Sequence, residues 1–132
     1  MLAIAILGII SVFSIGMNKM DKVYEEANQC NVNVLPSIII LGDLQQALYR
    51  MRIVALQHIS SDNDKTKKEL EEKFAEYKHD FEKALIGYAP LVADVKDKAL
   101  LETEKEYFAK YVTIVQEAFR LSREGKMEEI KK

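Results

Sequence analysis

The chain has 132 residues, 30 % of them charged and 48 % hydrophobic, and a formal net charge of −2. That length allows one domain, and the lack of a basic excess argues against nucleic acid as a partner. Tryptophan is absent and there are only 5 glycines and 2 prolines; with abundant Ala, Leu, Glu and Lys, this poverty of turn residues points to an all-α protein.

Residues 1–17, MLAIAILGIISVFSIGM, carry no charge. The stretch is slightly short of the ~20 residues that span a bilayer, yet it reads as membrane-embedded. A cleaved signal peptide would open on a basic region and close on an A-x-A-like site, and neither is present, so an uncleaved anchor is expected. An apolar run starting at the first residue also points to a chain cut from something longer. Asn18–Val32 has no helix breaker, and Met20, Val23 and Ala27 keep a helical stripe. The anchor helix is therefore expected to continue through Ser60, with about 65 Å of rise from Asn18. Pro36 lies inside this run, removes a backbone donor and should kink the helix or mark a local irregularity. Gly42 is a second soft point. The lone cysteine, Cys30, closes no disulfide within the chain, although in a dimer it could meet its symmetry mate.

In a heptad frame from Val34, the a positions are Val34, Leu41, Leu48 and Ala55, and the d positions Ser37, Leu44, Met51 and His58. Ile38, Gln45, Arg52 and Ile59 flank them at e. This stripe suits a helix facing a bundle core. A second stripe runs through Ile40, Ala47 and Val54, with Ile39 and Ile53 beside it. A surface helix needs one apolar face, so the second calls for further cover. A two-fold homodimer would supply it; packing on another segment of the same chain is the alternative.

SSDND at 60–64 is the first break, with Ser61, Asp62 or Asp64 as the expected cap of the next helix. That helix, about Lys65–Tyr88, has the stripe Leu70, Phe74, Tyr77, Phe81, Ala84 or Leu85, and Tyr88; Gly87, Ala89 and Pro90 end it. A third helix, about Leu91–Glu124, carries Leu101, Phe108, Tyr111, Val115, Ala118 and Phe119, with Gly125 as C-cap. KMEEIKK then starts a fresh amphipathic pattern at Met127 and Ile130. The expected fold is an antiparallel up-down four-helix bundle with most of the fourth helix cut off.

No glycine-rich phosphate loop, nucleophile elbow or HExxH occurs, so no catalytic residue, no enzyme activity and no cofactor are expected. His58 and His79 lie on different helices without Cys or carboxylate at metal-ligand spacing, so no metal is expected. Met51 and His58, one heptad apart on a core face, pack rather than hold haem. Arg50 and Arg52, with Tyr49 and Gln45, stand out in an otherwise apolar helix. A guanidinium is costly to desolvate and grips carboxylates in a bidentate fork. Residues at i and i+2 do not share a face, so one pocket would need both arginines only if one reaches around or two subunits contribute. A small dicarboxylate or amino acid fits such a clamp, with Thr113, Gln116 and Lys110 on helix three within possible reach. Solvation of both arginines, or pairing with Glu on the other helices, is the alternative.

The apolar anchor entering helix one, NVLPSIIILGDLQQALYRMR, the break SSDND, the segment EYFAKYVTIVQEAF and the closing REGKMEEIKK together resemble the periplasmic ligand-binding domain of bacterial methyl-accepting chemotaxis receptors of the four-helix-bundle type. The resemblance covers nearly the whole chain as a pattern, without an invariant motif. It implies a membrane segment over 1–17 and a sensor domain over 18–132 in the periplasm or outside the cell, anchored in the bacterial inner membrane. It further implies a homodimer whose interface holds a small carboxylate, an organic acid or amino acid, and a downstream kinase complex reached through parts beyond this chain. In aspartate and serine receptors, helix-one arginines from both subunits act with a threonine and backbone groups of helix four. Arg50 and Arg52 occupy the equivalent part of helix one, but the wider arginine spacing is not reproduced, Gln57 or His58 standing at its last position. The implied signal is a sliding helix. Sensor histidine kinases and nucleotide cyclases use similar input bundles, and a structural, membrane-tethered coiled coil is a third reading.

Overall fold

A computed structural model describes residues 2–130, with side chains from residue 12 onward. Among these residues every regular element is helical. The chain divides into two compact units, Met1–Ser37 and Ile38–Lys132.

In the first unit, α1 (Leu2–Gln29) is followed by a π-helical turn over Cys30–Val34. The irregularity expected at Pro36 is this turn. The Leu35 N–H reaches back to the Cys30 carbonyl, a step of i to i−5. Pro36 has no N–H to give, and its ring would crowd the carbonyl four residues back in a regular helix. One widened turn upstream relieves both problems, and helix resumes as α2 (Leu35–Ser60). The expected anchor over 1–17 lies mostly on residues 1–11, outside the described side chains. Among the described residues no helix is long and apolar enough to cross a membrane.

In the second unit, α2 meets α3 (Asp64–Tyr88) and α4 (Val95–Arg123) around one core; a 3-10 turn, Ala89–Leu91, lies between α3 and α4. The turn after α2 is capped by Asn63, not by Ser61, Asp62 or Asp64. Asn63 has extended backbone, and its Oδ1 accepts from Thr66 N at 3.0 Å. Asp64 then falls inside the first turn, where its charge faces the positive helix end. Asn63→Ala should cost about 1 kcal/mol, read as a lower denaturant midpoint at unchanged slope.

Helix α4 begins at Val95, later than the expected Leu91. Leu91 and Val92 are half-buried and so mimic a helical stripe, but Val92 leaves helical geometry with ψ 119. Asp94 is the cap, accepting from Asp97 N at 2.8 Å, and Asp97 returns the favour by accepting from Ala93 N at 3.0 Å. The other end of α4 closes as expected at Gly125, which has φ 72. Lys126 N bonds to the Leu121 carbonyl and Gly125 N to the Ser122 carbonyl, a Schellman motif. A Cβ on Gly125 would meet nothing within 4 Å, so Gly125→Ala should cost about 1–2 kcal/mol through the left-handed backbone alone, measurable by thermal unfolding. The pattern after it forms α5 (Met127–Ile130), with Met127 and Ile130 half-buried.

The core is built from Leu44, Ala47, Met51, Val54 and Ala55 of α2, Leu70, Phe74, Phe81 and Leu85 of α3, and Leu101, Phe108, Val112, Val115 and Phe119 of α4. Four cross-helix pairs give the relation of α3 to α4: Lys67 with Ser122, Phe74 with Phe119, Phe81 with Phe108 and Tyr88 with Asp97. Residue numbers rise along α3 as they fall along α4. On α2 the buried seam runs through d (Leu44, Met51, His58) and g (Ala47, Val54), and the a stripe adds only Ala55 and half-buried Leu48. Ala47 and Val54, assigned to the second stripe, are buried within this chain, whereas Leu41 is 48 % exposed. Part of the second face thus needs no partner chain for its burial. Ile38, Ile39 and Leu56 remain exposed.

Candidate functional site

Helix α2 has two flanks, and the residues proposed from sequence fall on different ones. Arg50 points toward α3, where its guanidinium carbon lies 5.5 Å from the centre of the Tyr77 ring. There it lines a cleft of about 390 Å3 together with Asp43, Asp80, Lys83 and Gly87. Arg52 lies near Tyr111 of α4, close enough for its charge to oppose the rise that burial imposes on the Tyr111 phenol pKa. The Tyr111 hydroxyl is buried without a hydrogen-bond partner. Gln45 sits on a separate groove of about 450 Å3, walled by Leu41, Leu48, Leu100 and Leu101 and edged by Glu104 and Asp97. Tyr49 is 64 % exposed. Thr113 spends its hydroxyl on the Ala109 carbonyl at 3.0 Å. The five residues therefore do not converge within one chain, which is the outcome that the i, i+2 spacing of the arginines dictates.

One chemical property does unite the α2 arginines. Arg120 is held by Glu117 and Glu124, and Arg123 by Glu71. Among the described residues, Arg50 and Arg52 have no carboxylate within ion-pair distance. The pairing with Glu on the other helices, weighed above as an alternative, is not made.

A family model described as a four helix bundle sensory module for signal transduction matches residues 1–132. The chain belongs to this family of sensory modules, found in methyl-accepting chemotaxis proteins. Comparison with curated proteins and with solved structures gives no match.

The sensory module also contains a polar cluster that sequence reasoning treated as core packing. His58, at a d position, is 0 % exposed. Its Nε2 lies 2.8 Å from Glu71 Oε1, and Arg123 donates to Glu71 Oε2 at 3.0 Å. Lys67, also buried, donates from Nζ to the Ser122 carbonyl at 2.8 Å, where α4 presents its negative end. Burial pushes the His58 pKa below its ordinary value, with Glu71 opposing and Lys67 and Arg123 adding to the depression. The only sequence signal was a histidine on an apolar face; its carboxylate partner stands on another helix, beyond the reach of any spacing rule. Groups of His, Cys, Asp or Glu able to hold a metal do not occur among the described residues.

Proposed function

We propose that this sensory module is the extracytoplasmic input domain of a bacterial transmembrane chemotaxis receptor, and that it binds a small carboxylate at or near a homodimer interface. The observation that carries the reading is that, among the described residues, Arg50 and Arg52 of α2 make no ion pair while Arg120 and Arg123 do. Because Arg50 and Arg52 face different flanks, each would meet a ligand with help from a second subunit, and the exposed apolar residues Ile38, Ile39 and Leu41 are suited to that contact. Tyr49, also exposed, and Gln45 would border such a site; Thr113 is the weakest member because its hydroxyl is already bonded.

In this reading residues 1–17 anchor the chain in the inner membrane and residues 18–132 form the sensor outside the cytoplasm. The bundle is antiparallel, in keeping with the order of the α3–α4 pairs, and a fourth helix continuing from α5 would cover the groove beside Leu41 and Leu100. Binding shifts the balance between two helix arrangements, and only a ligand that favours one of them signals. A kinase complex reads the shift through segments beyond this chain.

The test is behavioural. Cells carrying the full receptor should respond to one organic acid or amino acid, and Arg50→Ala or Arg52→Ala should raise the effective concentration by about tenfold or more, the loss expected from a charge-assisted hydrogen bond. An unchanged response in both variants would remove these residues from the site.

A further inference from the structure

The sensing role proposed above makes no use of His58, the buried imidazole at the junction of α2, α3 and α4. One face of its ring lies against Phe119, with centroids 4.1 Å apart. Its Nε2 is paired with the Glu71 carboxylate, which can only accept, so Nε2 carries the proton. Nδ1 is buried with no hydrogen-bond partner. In this tautomer Nδ1 is a bare lone pair, which the apolar surroundings tolerate. A second proton would turn it into an N–H with no acceptor inside the core.

The charged groups acting on the ring come from both neighbouring helices: Glu71 and Lys67 from α3, and Arg123 from α4. Glu71 would welcome an imidazolium, but it is already bonded to Arg123. Lys67 is fixed on the Ser122 carbonyl and adds to the repulsion. The Ser122 hydroxyl, in turn, lies 3.5 Å from the His58 carbonyl. Two cations, one shared carboxylate and an orphan nitrogen therefore surround a group that must gain a proton when the surroundings turn acid.

We propose that the His58–Glu71–Arg123 cluster is an acid-operated latch, which holds the last turn of α2 against α3 and α4 when the imidazole is neutral and releases it on protonation. The latch does not depend on the carboxylate reading, and it gives the sensory module a response to acidity of its own. The sign follows from linkage. The folded state holds the His58 pKa below its ordinary 6.5, so the unfolded or opened state binds the extra proton more readily. The latch is intact above that ordinary value and is lost as pH falls through the folded-state value.

The test uses the full chain between pH 8 and pH 5, following the imidazole nitrogens of His58 by NMR alongside amide exchange corrected for its intrinsic pH dependence. Protection of the amides of Ser61, Lys67, Gly125 and Lys126 should fall as His58 titrates, by up to about tenfold per pH unit for one linked proton, while Met51 and Phe81 keep theirs. His58→Gln should flatten the profile, and His79→Gln, at an exposed position, should leave it unchanged. The proposal fails if His58 titrates with no loss of protection at the junction, or if the loss persists in His58→Gln. Should that variant not fold, coincidence of imidazole titration and opening in the parent chain decides the matter alone.

Discussion

Replacing Phe81 by alanine is expected to remove about 3–5 kcal/mol of stability, the range for truncating a buried aromatic side chain. Phe81 is 1 % exposed and stacks on Phe108 with centroids 3.9 Å apart and planes 15° apart. It also lines one groove together with Leu44 and Leu48. The loss has two parts: the transfer free energy of the ring and the void left between helices that cannot fully close. Domains of this size hold about 5–15 kcal/mol in total, so the variant should sit near its unfolding threshold. Its melting temperature should fall by on the order of 10 °C or more. Phe81→Leu, which keeps most of the volume, should recover the larger part of the loss. Equal destabilisation by both variants would mean that ring stacking, rather than filled volume, holds the site.

The second large effect is expected at Phe119. Its ring is 5 % exposed, meets Phe74 edge-on at 5.2 Å and lies against His58. Phe119→Ala should cost a similar ~3–5 kcal/mol, but with a signature that Phe81→Ala lacks. Burial is the largest cause of the depressed His58 pKa. Opening one face of the imidazole to water removes part of that cause, so the His58 titration should move upward toward its ordinary range. Above that range the variant loses packing alone; through it, the pH dependence of stability should shrink, because folded and unfolded states now bind the proton more equally. Thermal unfolding of the parent and the variant at pH 8 and pH 5.5 separates the two contributions. A variant that is destabilised with an unmoved His58 titration would contradict the burial account.

Helix content, the break near Ser60 and the Gly125 cap were legible because each is a local property. Gly125 needs only its own left-handed φ, and Pro36 announces a defect through its missing N–H. The defect's form, a π-helical turn over Cys30–Val34, was not legible, because several local rearrangements satisfy the same loss. Caps slipped for a related reason. Asn63 wins over its neighbours through the Thr66 amide it reaches, whereas Ser61 turns its hydroxyl to the Asn63 amide. Leu91 and Val92 looked helical because burial, not helix, explains their apolar character.

The seam of α2 misled in a more instructive way. With apolar residues at a, d and g together, periodicity identifies which residues are apolar but not which pair of stripes faces the neighbours. The narrow side chains of Ala47 and Ala55 mark close approach, and both are buried, while the larger Leu41 is left on the open groove. For the candidate site, chemical type was readable and geometry was not. Arg50 and Arg52 stood out as costly residues in an apolar helix, but Tyr77 and Tyr111, which lie beside them, come from distant parts of the chain. The His58 cluster drew residues from three helices and left no local trace.

The most direct test of the sensor account is the melting temperature of the full chain against a panel of amino acids and di- and tricarboxylates. A ligand at a hundred times its dissociation constant adds about 2.7 kcal/mol, well above the resolution of a melting curve. The account predicts that one acid raises the melting temperature and that Arg50→Ala or Arg52→Ala reduces the rise at the same ligand concentration, to about 1.4 kcal/mol or less for a tenfold or greater loss of affinity. A rise of undiminished size in both variants, or no rise with any carboxylate, would contradict it.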